Sequence, residues 1–522
     1  MRYPALTSFR TVALVLFVFV GLTFLHAQTI VRSFDGDKGP TPEQCNVNEL
    51  RCGRQAEMVA AANGKQVVQV TWQHVNIYNY KGKLLHSMTL PDFIRKAGLD
   101  AMPPPPKRPG IKDRGPFEPH IVFNEFIGRW LLTATCLNDC FMVSETADPA
   151  GPWHGVYMSC LQGGPCLNND PALQLGYDKN GVYYCGGHLG EDDPNTMKGV
   201  AYDCFAIPPS EVKGIGEGKD PEHINRQNGM AMHIRPAIDQ DPNKAPNAPA
   251  LFATRTCSRA KPGGCQNASN FPFEWIVNSF TWNGPTGEYS KDQVIKTDVG
   301  SQQDTWLYNF PCCGPKASVP QAGSDIGVRA AENHRLNNLV QFGSHLEIAF
   351  ASGPCTHDCG AQGEDKNNIM FWADLDCSHL TACKVVQTAK IANENVNPLF
   401  PTIGVDNKGN VGIVAASSSP TTDLSILMWT HRTSDPPNVI SGPTTVIAGT
   451  KPYTCPNKMN LALISSAVGV LTVRDPRDGS KLWTTHQYSG DATPCVWNSR
   501  IIEYQPGGAP KRTASSHKHH KL

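Results

Sequence analysis

Glu118 and Asp170 share a local setting: each precedes a proline, Pro119 and Pro171, at the head of an apolar run. Arg235 precedes Pro236 in the same way, His120 follows Pro119, and His334 and Arg335 are adjacent. Two carboxylates facing one another can divide into a general acid and a nucleophile or base for glycoside hydrolysis, and their separation then sets the stereochemical outcome. On that reading Glu118 and Asp170 are the catalytic candidates. His120, His188, Arg235, His334 and Arg335 are the candidates for holding a ligand. The plainer alternative makes the same residues strand-opening groups that satisfy turns and ion pairs.

Other clusters are open to two readings each. His188-Leu189-Gly190-Glu191-Asp192-Asp193 gathers oxygen ligands and one imidazole beside Cys185, which would suit a structural calcium or a polar sugar. It lacks the spaced oxygens and glycine of an EF-hand loop, and a solvated acidic loop is the alternative. Cys136 and Cys140 could join Cys355 and Cys359 in a four-sulfur zinc site, or each close pair could be a disulfide. No resident metal or other cofactor is called for. His517, His519 and His520 form a short cluster in the basic tail. A serine nucleophile elbow, a phosphate-cradling glycine loop, a His-Glu-x-x-His helix and a haem-type Cys-x-x-Cys-His are not found.

The compartment follows from the first residues and from the cysteines. Arg2 and Arg10 flank a short basic start, and an apolar stretch runs from Val12 to Val20 and on through Leu22, Phe24 and Leu25, so residues 1–27 read as a cleaved export signal. The stretch is short for a bilayer span, and no later run is long enough, so no stable membrane insertion is expected after cleavage. An uncleaved anchor is the alternative. Eighteen cysteines in an exported chain oxidise. Taken in order they fall into neighbours: Cys45 with Cys52, Cys136 with Cys140, Cys160 with Cys166, Cys185 with Cys204, Cys257 with Cys265, Cys355 with Cys359, and Cys377 with Cys383. Cys455 and Cys495 form a longer pair, and the adjacent Cys312 and Cys313 either form a vicinal bond or each bridge elsewhere. The whole chain has 46 basic and 46 acidic side chains, and losing Arg2 and Arg10 with the signal leaves it near neutrality. That argues against nucleic acid as a partner and leaves an extracellular glycan or protein as the expected ligand.

The elements that must position these residues are strands. Short β-branched or alternating runs bounded by Gly, Asn, Asp and Pro recur, including 66–75 (QVVQVTWQHV), 129–135 (RWLLTAT), 410–416 (NVGIVAA) and 424–430. Asn79 to Gly82, Asp178 to Gly181 and Asp406 to Gly409 read as tight turns. One short helix is expected over 91–97, ending at Gly98. Glu118-Pro119, Asp170-Pro171, Arg235-Pro236 and Phe400-Pro401 each lead an apolar strand, with further units opening near Asn63, His334-Arg335 and Met459. Asp-Pro turns recur before Trp153 and Trp483. Units of roughly 50 to 70 residues, each able to hold four strands, predict an all-β β-propeller, with disulfide-stapled loop insertions and seven blades rather than six. Its single domain is expected over 60–505, after an extension at 28–59. A Pro-rich linker loop at 102–116 and an insertion-rich blade at 241–300 interrupt it, and a basic disordered tail follows at 506–522. Trp72, Trp130, Trp153, Trp282, Trp372, Trp429 and Trp483 fit the inter-blade core, or could stack on sugars.

The phrases HIVFNEFIGRW (120–130), VSETADPAGPW (143–153), FPTIGVDNKGNVGIV (400–414) and RDPRDGSKLW (474–483) resemble secreted bacterial β-propeller proteins of unassigned function. The likeness touches most of 60–505. It implies six or seven blades and a distant similarity to sialidase-type and other glycosidase propellers. The sialidase Asp-box is only echoed here, and an arginine triad is not evident. Two functions therefore stand as expectations: a non-catalytic binder of an extracellular carbohydrate or protein, and a propeller glycoside hydrolase using paired carboxylates.

Overall fold

A computed structural model describes residues 29–41, 58–100, 116–136, 139–158, 161, 169–189, 200–230, 234–256, 274–296, 318–329, 336–352, 368–391, 395–454, 461–462, 470–491, 493 and 495–508. Seven antiparallel sheets follow one another along the chain, each an up-and-down run beginning with the strand nearest the axis. The inner strands are Val59–Ala62, Phe117–Asn124, Asn169–Tyr177, Arg235–Pro236, Leu339–Phe342, Asn397–Val405 and Thr472–Arg474, which we number as blades 1 to 7. This is the seven-bladed β-propeller expected from the repeat.

Burial grades outward. The inner strand of blade 6, Asn397–Val405, is buried at every position, whereas its outer strand Ser441–Ile447 is mostly open to solvent. Between blades the core is largely aromatic and aliphatic, with Trp130, Trp275, Trp372, Trp429 and Trp483 fully buried. Trp275 meets Phe350 of the next blade edge-on at 5.5 Å between centroids, and Tyr80 meets Trp483 at 5.0 Å. Core packing, not sugar stacking, is what these rings do here.

The ring closes through its first residues. Thr29–Lys38, within the stretch expected as an extension, is the outer strand of blade 7 and pairs with Asn498–Gln505 from Thr29 opposite Gln505 to Lys38 opposite Asn498. Arg32 with Glu503, and Asp35 with Arg500 at 2.7 Å, fix that register. Within 241–300, Ala250–Thr256 and Glu274–Asn283 are ordinary strands of blade 4, whose third strand pairs with both Thr286–Tyr289 and Gln293–Lys296.

Three local expectations change. The run 66–75 is two strands, Gln66–Val70 and His74–Asn79, because Thr71 Oγ1 accepts the Gln73 and His74 amides and turns the chain. The helix spans Leu90–Lys96, with Thr89 capping the Asp92 amide and Gly98 in the left-handed region that ends it. A second helix, Pro209–Gly216, was not expected; proline starts it, and Val212 and Ile215 are its buried face. Asn63 ends an inner strand instead of opening one.

Candidate functional site

We call the end of the propeller where inner strands begin the top, and the end where they finish the bottom. Two strained residues lie toward the top, one at the start of the inner strand of blade 2 and one within that of blade 6. Glu118 and Phe400, each before a proline, have φ of 53° and 52°, and the ladder slips beside both, between Phe117 and His120 and between Leu399 and Thr402. Left-handed backbone in a residue with a side chain costs on the order of 1–3 kcal/mol and persists only where surrounding contacts hold it. At Phe400 the holder is visible: the buried His486 ring, on the second strand of blade 7, lies with Nε2 3.0 Å from the Phe400 carbonyl, and its Nδ1 accepts the Gln487 amide. Burial lowers the His486 pKa to about 4, so the ring is neutral and Nε2 can donate. Met58, Leu399, Phe400, Tyr453 and Trp497 form a small apolar cluster there. It packs against a three-stranded sheet of Ser318–Gln321, Ser324–Arg329 and the parallel Leu461–Ala462.

Deeper in, hydrogen bonds tie neighbouring inner strands together around the axis. Arg235, 1% exposed, donates to Gln174 of blade 3 and to the Asn337 carbonyl at 2.9 Å, joining three blades. Asn338 bonds the Ile403 carbonyl at 2.6 Å and accepts from Thr402 at 2.7 Å, while Thr402 and Thr472 hydroxyls meet at 3.1 Å. The inner strands of blades 3, 4 and 5 touch directly: Asp239 N–H donates to Tyr177, and Ile238 N–H to Leu339, each at 2.9 Å. Gly176 permits this approach, since a Cβ there would lie 2.5 Å from the Ala237 carbonyl oxygen. Near the bottom, the Gln240 amide of blade 4 reaches the Arg474 backbone of blade 7, donating at 3.1 Å and accepting at 2.7 Å. Gln240 thus joins two blades that are not neighbours in the ring.

The bottom is rigid. Asn63, Asn124, Asp178, Asp239, Asp406 and Asp475 end six inner strands, and each side-chain oxygen accepts a backbone amide two residues on. Between blades 3 and 4 the buried Lys244 ammonium lies 2.8 Å from Asp178 and 2.9 Å from Asp239. Burial raises the Asp239 pKa, and Lys244 opposes the rise. In blade 5, Glu347 faces Asp374 across two strands. Trp372 Nε1 donates to Glu347 at 2.7 Å, and His345 Nδ1 lies 2.7 Å from Asp374. Burial and the Asp374 charge hold the Glu347 pKa well above the usual carboxylate range.

Among the sequence candidates, Glu118, His120 and Arg235 lie buried near the top of blades 2 and 4. For Asp170 and His188 only the backbone is described: Asp170 is opposite Gly187, and His188 is opposite Asn169. His188 is therefore on a strand, Val182–Leu189, not in a loop; the ladder to Val200–Ile207 carries it there. His334, Arg335 and the tail histidines lie outside the described residues. Disulfides join Cys136 to Cys140, Cys185 to Cys204 and Cys377 to Cys383, as neighbour pairing predicts, so Cys136 and Cys140 supply no thiolates for zinc. Cys495 is disulfide-bonded too. Cys45, Cys52, Cys160, Cys166, Cys257, Cys265, Cys312, Cys313, Cys355, Cys359 and Cys455 lie outside the described residues. Among the described residues no three His, Cys, Asp or Glu side chains gather as a metal site, and no helix is long and apolar enough to cross a membrane.

Sequence reasoning missed His486, Glu347, Lys244 and Gln240. The signal for Glu347 is a carboxylate inside the largely apolar strand HLEIAFAS; His486, in LWTTHQY, had none, because its neighbours Thr484, Thr485 and Gln487 are polar too. No protein-family model matches this chain, and no curated protein does. Solved structures similar to it include Drosophila Semaphorin 1a, extracellular domains 1–2, at 9% identity and TM-score 0.41, covering 92% of this chain and 88% of that one. Others are the GH93 α-L-arabinofuranosidase of Fusarium graminearum (11% identity, TM-score 0.34, 72% and 90% covered) and Trypanosoma rangeli sialidase (9%, 0.34, 77% and 56%). The propeller assignment rests on the strand order and not on these likenesses.

Proposed function

We propose that this chain is a secreted propeller that holds an extracellular carbohydrate or protein ligand at the top of its channel without transforming it. One observation carries the reading: hydrogen bonds tie neighbouring inner strands together, Gln240 of blade 4 reaches blade 7, and Glu118 and Arg235 are 5% and 1% exposed, which favours a scaffold role for these inner-strand polar groups. A hydrolase of the paired-carboxylate type needs its two carboxyls open to a sugar and a water. Ligand contact then falls to the connections at the top. The described strand ends there include Leu189 and Val200 of blade 3, Thr256 and Glu274 of blade 4, and Ser352 and Ile369 of blade 5.

The test is a glycan array run beside a panel of chromogenic glycosides on the purified protein. Retention on the array without turnover supports the proposal. Turnover that a Glu118→Gln substitution abolishes would replace it with the hydrolase reading.

A further inference from the structure

At the bottom of the channel, four blades bring polar groups to one mouth. Glu125, half-buried after the inner strand of blade 2, accepts from the Tyr177 hydroxyl of blade 3 at 2.9 Å and from the Gln240 amide of blade 4 at 3.1 Å. Gln240 in turn fixes the backbone of Arg474 on blade 7 through both of its amide atoms. Burial raises the pKa values of both Glu125 and Tyr177, and the half-buried Arg474 side chain lies close enough to oppose part of each rise. Among the described residues its guanidinium makes no hydrogen bond or ion pair. Phe126, also half-buried, stands beside this group, its ring 6.4 Å from that of Tyr177.

The chemistry of this mouth is specific in kind. A carboxylate held by two donors keeps lone pairs for a further hydroxyl proton, and an uncommitted guanidinium offers a planar fork of donors to oxygen. The two charges oppose each other, so the pair selects for neither an anion nor a cation. What matches an acceptor and a donor side by side, with an aromatic edge next to them, is a neutral ring bearing adjacent hydroxyls. We propose that the bottom mouth of the channel binds one neutral saccharide unit, its vicinal hydroxyls shared between the Glu125 carboxylate and the Arg474 guanidinium and its apolar face against Phe126. This site lies at the opposite end from the top connections and does not depend on what they hold.

Saturation-transfer NMR on the full secreted chain tests it, with free neutral monosaccharides at up to about 50 mM, a range suited to an open site of millimolar affinity. A second arm uses the same sugars as the terminal unit of short oligosaccharides. Saturation of at least one sugar in either arm is expected, and the arm that responds says whether the free sugar or a glycan end is the source. Arg474→Gln should weaken binding by about tenfold or more, the loss of one charge-assisted hydrogen bond, while the chain still unfolds in one cooperative transition because that guanidinium makes no hydrogen bond to a described group. Phe126→Leu should weaken binding as well and guards against a folding artefact. Silence from every sugar in both arms overturns the site, and if the glycan array is positive at the same time the top-face proposal still stands. Binding that is insensitive to both substitutions also overturns it.

Discussion

His486 makes a quantitative prediction about acid stability. Its ring is fully enclosed, supports the left-handed Phe400 through the carbonyl, and stays neutral because burial depresses its pKa from 6.5 to about 4. In the unfolded chain the same ring binds a proton near 6.5, so below that pH the unfolded state is the more protonated one. Stability from this group is therefore complete above pH 6.5 and is lost as pH falls toward 4. Integrating the difference gives a loss of roughly 3 kcal/mol in full, of which about 2 kcal/mol has gone by pH 5. Other groups act with the opposite sign. His74, raised by its bond to Asp37, adds stability below 6.5 that disappears as pH climbs past its folded value. Glu347, raised by burial, behaves likewise on the acid scale. The term is thus isolated by difference, using His486→Gln, which keeps an N–H donor and has no titration. Guanidinium unfolding followed by tryptophan fluorescence, with disulfides intact, should show the wild type losing about 2 kcal/mol relative to the variant between pH 7 and pH 5. Parallel stability curves for the two proteins over that interval would refute the argument.

Glu347→Gln keeps an oxygen for Trp372 and removes the charge that burial and Asp374 oppose, so it should stabilise the protein, more at pH 8 than at pH 5, as read by melting temperature. Lys244→Met leaves Asp178 and Asp239 enclosed without their cation and should cost about 3–5 kcal/mol in unfolding free energy; a loss under 1 kcal/mol would mean the cluster is not the lock it resembles. Deleting residues 28–38 strips the outer strand from blade 7 and bares the edge of Asn498–Gln505. Monomer recovered by size exclusion should fall sharply, and a synthetic peptide spanning Thr29–Lys38 should restore it. An unchanged monomer yield would show that ring closure does not need this strand.

What the sequence disclosed is what local chemistry encodes. Asp178 and Asp406, each followed by a glycine three residues on, announce their turns because the carboxylate accepts the amides of its own loop. The prolines at 119, 171, 236 and 401 mark four inner strands, since proline suits a strand opening and forces extension before it. Close cysteine pairs at 136, 185 and 377 are bonded because their partners are near in sequence. The groups that join one blade to another are invisible by the same logic. Gln240 meets Arg474 across 234 residues, and Gln69 meets Thr485 across 416. Nothing local distinguishes such a glutamine from a solvated one. Even the proline rule hid a feature: the left-handed φ of Glu118 and Phe400 is the reverse of the extended backbone a following proline favours, and at Phe400 a histidine of the neighbouring blade bonds the carbonyl.

The two ends of the propeller differ in kind, and that difference bears on function. At the bottom, six Asp or Asn turns and the buried Lys244 cluster fix the backbone through interactions internal to one blade or to adjacent ones. At the top, the Cys136–Cys140 bond closes the hairpin of blade 2 where its second strand turns into its third. Cys185–Cys204 ties the same two strands of blade 3 directly opposite one another. A chain this large can bury its core unaided, so these bonds are not needed to make the ring stable. Their effect is to limit how far the strand ends beneath the top connections can separate, which lowers the ordering entropy a ligand must overcome there. A ring whose strand ends are held by covalent bonds at one end and by turn hydrogen bonds at the other presents a fixed frame for recognition.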